Sequence, residues 1–306
     1  ETILGGGGLA AVDSRCERVL TVLLIVFAQV LLIGRLARRG LSLRCAVLVA
    51  SCGWGVLVVL LTEAASEICF LTRSVMVVLW SVVCGGMLVF LSRRDVARPF
   101  QEAVRNSCAQ ASANRTVLVV AVGAIAAVVG LVAIFSAPNT WDAHTYHLAR
   151  VVHWIQNQSV SHFPTAVERQ VDAGPWAEFA ITQLFLLTGG DRLAGFVQFY
   201  AMIGSAIAAS VIARELGASP TGEVVASAAV VTLPMGILQG SSTQNDYVVA
   251  FWLAASVALA LTAWRCHDRA WLFAVAGCCL GLAVLTKGTA YPFAMPFLVW
   301  LGAALV

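Results

Sequence analysis

Apolar residues fill most of this chain in blocks of roughly twenty, and short polar connections separate the blocks. A helix needs about 20 mostly apolar residues to cross the hydrocarbon core of a bilayer. A transmembrane β-barrel would instead show alternating segments of about ten residues. The pattern predicts an all-α, polytopic integral membrane protein with about nine transmembrane helices. The predicted spans are 18–34, 41–62, 68–91, 116–136, 190–213, 220–239, 246–264, 270–286 and 289–306.

Composition supports the same class. Hydrophobic residues make up 60% of the chain and charged residues 11%, and the mean hydropathy is +0.87. A soluble domain carries about 25% charged residues, so composition excludes an ordinary soluble protein. The net charge of +3 is too small to predict a nucleic-acid partner, and we expect none.

Arginines collect in alternate connections between the predicted spans. The 35–44 connection carries four arginines and no acid, and the 92–115 connection carries five arginines against two acids. Short loops rich in Arg and Lys stay on the cytoplasmic side of a membrane. Continuing the alternation predicts that the long 137–189 segment lies on the non-cytoplasmic side.

The segment 137–178 is the longest polar stretch of the chain. It holds four of the five histidines, and it also contains Trp141, Trp154 and Trp176. Tryptophan favours the boundary between membrane and water. We therefore expect this segment to lie on the bilayer surface.

Residues 142–157 show helical periodicity. One polar stripe, at steps of three or four residues, consists of Asp142, Tyr146, Arg150, His153 and Asn157. The opposite side carries Leu148, Val151, Val152 and Ile155. The pattern predicts an amphipathic interfacial helix that presents its polar face to a cavity. The alternative is an ordinary solvated helix face. The next segment, 179–187, is too short to span and is predicted to be re-entrant or interfacial.

The same helix contains a possible metal motif. Asp142, His144 and His147 form D-x-H-x-x-H, in which two histidines three residues apart could share a divalent metal ion. A third or fourth protein ligand would have to come from elsewhere in the fold. Binding of a divalent metal ion is thus an alternative role for this segment. The sequence does not require a cofactor.

Two other polar positions fall on the predicted outer side. Gln244, Asn245 and Asp246 lead directly into an apolar span, where capping of the helix is the simplest interpretation. Lys287 is the only lysine of the chain and lies at the outer end of its span. It could extend its amine to the membrane surface as an anchor, or bind a lipid phosphate as a point charge.

Two segments together carry a resemblance to a known family. They are the outer stretch from Trp141-Asp142 to Trp154 and the sequence GLAVLTKGT at 281–289. Over about 116–306 the chain resembles the GT-C membrane glycosyltransferases of the protein-mannosyltransferase and aminoarabinose-transferase group, which are glycosyltransferase family 39-like. Members of this group often carry Asp-Glu in the first outer loop, whereas Ala143 follows Asp142 here.

The resemblance implies an enzyme that moves a sugar from a polyprenyl-phosphate-linked donor to a glycan, lipid or protein acceptor. The reaction would face the outside of a bacterial inner (plasma) membrane. Asp142 matches the family's loop acid and would be the catalytic base, while Lys287, and secondly Arg150, would bind the donor phosphate. The substrate-binding candidates are Tyr146, His147, His153, Gln244, Asn245, Asp246 and Tyr291.

The domain organisation follows from these observations. We expect a flexible leader over 1–17, N-terminal transmembrane helices with cytoplasmic arginine-rich loops over 18–115, and a GT-C-like core over 116–306 that includes the outer segment 137–189. Two other classes remain open at this point. One is a membrane transporter or lipid-binding protein without catalysis, and the other is a membrane metalloenzyme built on the loop histidines.

Overall fold

The computed structural model describes residues 7–91, 101–102 and 113–305. Every regular element within these residues is a helix, which confirms the all-α class. By length and composition, five of the described helices are able to cross a membrane. These candidate membrane spans are Thr21–Arg38, Leu43–Glu67, Arg115–Phe135, Asp191–Glu215 and Asp246–Arg265. The chain is therefore a membrane-embedded helical protein, and the predicted count of about nine crossings stays a prediction.

The helices follow the predicted apolar blocks closely. The N-terminal group comprises α1 (Gly7–Arg38), α2 (Leu43–Glu67), α3 (Arg73–Leu91) and α4 (Ala113–Phe135). The following polar segment contains a π-helical turn (Ala143–His147), α5 (Leu148–Asn157), α6 (Arg169–Asp172) and α7 (Trp176–Thr188). A 3₁₀ turn (Asp191–Leu193) then precedes α8 (Ala194–Glu215), α9 (Pro220–Val231) and α10 (Pro234–Gln239). The chain continues with α11 (Asp246–Arg265), a 3₁₀ turn (His267–Arg269), α12 (Trp271–Thr286) and α13 (Ala290–Leu305).

Two predicted segments differ from the structure. The leader predicted over 1–17 is helical from Gly7 onward, because residues such as Leu9 and Ala10 favour helix; residues 1–6 lie outside the described ranges. The single span predicted over 220–239 is two helices, α9 and α10. Pro234 causes the break, since it lacks an N–H and fits only the first turn of a new helix.

The short helix α7 lies inside the bundle, where it packs against α1, α2, α3, α8 and α12. Trp176 Nε1 donates to the carbonyl of Gly55 at 3.0 Å. Gln183 Nε2 donates to the carbonyl of Val58 and to Thr62 Oγ1, at 3.0 and 2.8 Å. Pairing its polar side chains in this way removes the free-energy cost of burying them. The prediction of a helix too short to span is confirmed, and its residues are largely buried by protein.

Charged residues separate to the two ends of the bundle. At one end, Arg44 Nη1 lies 2.5 Å from Glu223 Oε2, and Arg214 Nη2 lies 2.6 Å from Glu215 Oε1. The helix α2 runs from this end to the opposite one, where the backbone of Leu71 contacts that of the polar 137–189 segment. Within the described residues, Arg44 and Arg214 therefore lie at the end opposite to the long polar segment, whereas most of the 92–115 connection lies outside those residues.

Candidate functional site

Three stretches distant in sequence meet at the end of the bundle that carries the polar segment. They are the 137–178 segment, the 240–246 loop and the turn that follows α12 at Lys287. Most of the residues that sequence reasoning selected lie here.

The helix predicted over 142–157 forms, but it begins with a π-helical turn. The N–H of Leu148 donates to the carbonyl of Ala143, which places one extra residue in that turn. Single π turns occur frequently at functional sites. The predicted polar stripe does not stay on one face: Arg150 is buried, whereas His153 is exposed. Val152, predicted on the buried side, is 39% exposed.

Asp142 is half-buried at the start of the π turn. Gln244 Nε2 donates to its Oδ2 at 3.4 Å. Burial, together with the negative charge of Asp142 beside it, raises the pKa of Tyr146 to about 12. A phenol with this pKa is neutral at physiological pH, so Tyr146 can donate a hydrogen bond to this carboxylate. The candidate base therefore has two polar neighbours that can hold its orientation.

The 244–246 loop connects Asp142 to the lysine turn. Its first residue, Gln244, donates to Asp142, and the Nδ2 of Asn245 lies 3.5 Å from the carbonyl of Thr286. Its third residue, Asp246, accepts from Lys287 Nζ through Oδ1 at 2.6 Å. Candidate base and candidate phosphate ligand, far apart in sequence, thus lie on either side of a single loop.

Gly174 brings the polar segment against the same turn. A Cβ atom at this position would lie 2.5 Å from the carbonyl oxygen of Leu285 and 2.8 Å from the carbonyl carbon of Thr286. Only a residue without a side chain permits the two backbones to approach so closely. The close approach sets the position of the 137–178 segment relative to Lys287.

Sequence reasoning missed one functional candidate, Glu178 in the first turn of α7. One of its oxygens, Oε1, contacts Nδ1 of His147, and both side chains are almost fully buried. The charge of the same carboxylate also acts on Arg150. The guanidinium of Arg150 packs over the ring of Trp154 at 4.4 Å, and its Nη1 donates to the carbonyl of Ala173 at 2.7 Å. The signal that could have identified Glu178 is an acid at the start of an otherwise apolar helix.

The predicted metal motif does not assemble. Among the residues that the structure describes, no three His, Cys, Asp or Glu side chains are grouped so as to hold a metal ion. His147 turns inward and engages Glu178, while His144 faces outward and is exposed. The extra residue of the π turn offers a physical reason, because i and i+3 side chains no longer share one face of a regular helix. Asp142, His144 and His147 are therefore not grouped in this structure as joint metal ligands would be, and their use by a metal ion stays a prediction.

Two other substrate-binding candidates lie exposed at the surface. His153 is exposed and stacks on Phe163 with ring centroids 4.3 Å apart. Tyr291 is exposed as well, on α13.

Comparisons with protein-family models, with curated proteins and with solved structures find no match to this chain.

Proposed function

We propose that this protein is a membrane glycosyltransferase that takes a sugar from a polyprenyl-phosphate-linked donor and gives it to a glycan, lipid or protein acceptor. The observation that carries the proposal is the 244–246 loop, which brings the carboxylate of Asp142 and the ammonium of Lys287 to one site. Transfer from a lipid phosphate needs both a proton acceptor and a cation.

The chemistry assigns a role to each group. Asp142 accepts the proton of the acceptor hydroxyl while that oxygen bonds to the anomeric carbon of the sugar. The bond between the anomeric carbon and the phosphate oxygen breaks, and the electron pair leaves with the polyprenyl phosphate. The positive charges of Lys287 and Arg150 stabilise the negative charge on the departing phosphate.

Lys287 is not free in the absence of substrate, since Asp246 pairs with it. Both side chains are partly exposed, at 35% and 44%, so the ion pair is weak and water-accessible. The phosphodiester of the donor carries one negative charge, and the phosphate monoester that departs carries up to two. The departing phosphate can therefore replace Asp246 as the partner of the ammonium. Arg150 retains an unused donor, because its buried Nε has no hydrogen-bond partner among the described residues.

The finer membrane arrangement belongs to the same proposal. We infer about nine crossings in a GT-C-like arrangement, with the polar site on the non-cytoplasmic side of a bacterial inner membrane. The separation of the arginine-rich end from the polar end supports it, because arginine-rich loops stay cytoplasmic.

One observation favours the alternative of lipid binding without catalysis. A cavity of about 250 Å³ lies among α1, α2, α3, α7 and α8, and almost all of its lining is apolar. Such a cavity suits a hydrocarbon chain. Lipid binding alone does not account for the carboxylate of Asp142 and the ammonium of Lys287 at the end of the bundle, so we rank this alternative second.

The proposal is tested on purified protein in lipid nanodiscs with a panel of polyprenyl-phosphate-linked sugars. A glycosyltransferase releases polyprenyl phosphate and forms a new glycoside, whereas a binding protein or transporter leaves the donor intact. Chelation of divalent metal during the assay separates the third class, a metalloenzyme, from the other two.

A further inference from the structure

Two basic turns meet at the arginine-rich end of the bundle. The first turn ends α1 and contains Arg38, Arg39 and Gly40, and the second, 265–269, connects α11 to α12. A Cβ atom at Gly40 would lie 3.4 Å from Nη2 of Arg269, so the guanidinium of the second turn rests against the backbone of the first. The two turns therefore form one surface, which we call the basic surface and define by Arg38, Arg39, Arg265 and Arg269.

Positive charge exceeds negative charge on the basic surface. Between them, the two turns carry four arginines and one acid, Asp268. Arg38 and Arg39 are exposed, and the side chains of Arg265 and Arg269 are 57% and 27% exposed. A ligand from the surroundings can therefore reach these guanidinium groups.

The acids near the basic surface neutralise little of its charge. Asp268 is 80% exposed, and its Oδ2 lies 3.8 Å from Nε of Arg269. Glu215 Oε2 lies 3.9 Å from Nε of Arg265, but Oε1 of the same carboxylate is 2.6 Å from Nη2 of Arg214. Ion pairs this long and this accessible to solvent are weak. The surface therefore keeps a positive potential that attracts an anion.

Tryptophan side chains indicate the depth of the basic surface in a bilayer. Trp264 directly precedes Arg265, and Trp271 lies two residues beyond Arg269. Trp300 of α13 lies beside Trp264, with ring centroids 6.5 Å apart, and all three tryptophans are exposed. Exposed indole rings favour the boundary between hydrocarbon and water. The arginines therefore lie at the depth of the phospholipid head groups.

We propose that the basic surface binds the head group of an anionic phospholipid from the adjoining leaflet. Guanidinium groups bind phosphate oxygens through charge-assisted hydrogen bonds, and a head group with a net negative charge is attracted more strongly than a zwitterionic one. The exposed indole rings beside the arginines favour a lipid over a soluble acidic protein as the ligand. This inference does not depend on the proposed function.

The test is native mass spectrometry of the full chain, purified in a neutral detergent and titrated with dioleoylphosphatidylglycerol or dioleoylphosphatidylcholine. We expect the wild-type protein to bind phosphatidylglycerol at least about 25-fold more tightly. Each arginine near a head group contributes about fivefold in affinity, which corresponds to about 1 kcal/mol. Arg265→Gln/Arg269→Gln should therefore lower the affinity for phosphatidylglycerol about 25-fold. Arg265→Lys/Arg269→Lys keeps both charges and should retain most of the affinity.

Two variants serve as controls. Arg192→Gln removes an exposed arginine from the opposite end of the bundle and should leave the affinity for phosphatidylglycerol unchanged. Lys287→Met removes the cation of the proposed donor site, so an unchanged affinity in this variant shows that the lipid binds elsewhere. Thermal unfolding of each variant checks that the fold is intact. If the Arg265→Gln/Arg269→Gln protein does not fold, Arg39→Gln replaces it, with an expected loss of about fivefold.

Equal affinity of the wild-type protein for the two lipids would overturn the proposal. A loss in Arg192→Gln or Lys287→Met as large as that in Arg265→Gln/Arg269→Gln would also overturn it, because the lipid would then bind without the basic surface. Binding of poly-L-glutamate without a preference between the lipids would assign the surface to an acidic protein instead. None of these outcomes involves sugar transfer, so failure of this inference leaves the proposed function as it stands.

Discussion

Asp142 has two polar neighbours, Gln244 and Tyr146, that can hold the orientation of its carboxylate. Asp142→Asn keeps the size of the side chain and removes its ability to accept a proton. We expect the transfer rate to fall about 10²–10⁴-fold, the usual contribution of one positioned base. Donor binding and thermal stability should change little.

Asp172 provides the matched control for this variant. It is an exposed acid of the same segment, and Asp172→Asn should retain the wild-type rate. A well-folded Asp142→Asn protein with near-normal transfer would show that another group takes the proton, and His147 would become the first candidate.

Lys287 is paired with Asp246 in the structure. From this ion pair we predict opposite effects on donor affinity when one or the other partner loses its charge. Lys287→Met keeps the apolar stem but removes the charge, so donor affinity should weaken about 10–100-fold, which corresponds to about 1.4–2.8 kcal/mol. Asp246→Asn removes the competing carboxylate and should maintain or increase donor affinity. Lys287→Arg should restore only part of the affinity, because a point charge and a planar fork differ in geometry.

Binding of a radiolabelled donor in nanodiscs and thermal unfolding measure the two effects separately. Unchanged affinity with lowered stability in Lys287→Met would leave this lysine as a membrane anchor, contrary to the proposed role.

The family resemblance of two segments, together with residue type, selected Asp142 and Lys287 from the sequence, and the structure places both at one end of the bundle. Glu178 could not be selected in this way, because its partner His147 is 31 positions away and only the packing of α7 against α5 brings them together. The metal motif assumed regular helical spacing across 142–147. The structure has a π turn there, which the sequence does not reveal, and the three side chains are not grouped.

At the scale of elements, the position of the polar segment depends on its close approach to the end of α12. Gly174→Ala would place a methyl group against backbone atoms of Leu285 and Thr286, which cannot move as a side chain can. We expect a loss of about 1–3 kcal/mol in the free energy of unfolding, together with reduced donor affinity through displacement of the turn at Lys287.

The control is Gly190→Ala, directly after the 137–189 segment, where a Cβ atom would meet nothing within 4 Å. Its stability should remain close to that of the wild type. Equal melting temperatures for the two variants, measured by differential scanning fluorimetry, would contradict the tight approach at Gly174.

The helices themselves follow from the apolar blocks, since burial of apolar length in a membrane leaves few other choices. The blocks do not show where, within a block, a helix breaks or changes its hydrogen-bonding pattern. The break before Pro234 was readable from that proline in principle. The π turn at Ala143–His147 was not, and it lies where His147 contacts Glu178, a residue 31 positions away.

At the scale of the whole molecule, the arginine-rich end and the polar end should face opposite sides of the membrane. Single cysteines at Ala166 and at Asp268, in a background without native cysteines, test this arrangement because both positions are exposed. An impermeant thiol reagent applied to intact cells should label the cysteine at position 166 and not the one at position 268. The reverse pattern would place the polar site in the cytoplasm.

The distribution of charge between the two ends of the bundle was partly predictable. Connections that carry arginines such as Arg44 and Arg214 alternate along the chain with connections such as the long polar segment, so the two kinds are expected at opposite ends. The interior position of α7 was not predictable, since it depends on hydrogen bonds such as that from Trp176 to Gly55. An apolar stretch of that length is equally compatible with a surface position.

The central claim is that Asp142 and Lys287 act together on a lipid-phosphate-linked sugar. The most direct measurement quantifies, by mass spectrometry, the polyprenyl phosphate released and the glycoside formed when purified protein in nanodiscs receives the donor and an acceptor. The account predicts equal amounts of the two products with the wild-type protein, and a rate about 10²–10⁴-fold lower with Asp142→Asn. An intact donor throughout the panel of sugars, or equal product from wild type and Asp142→Asn, would contradict it.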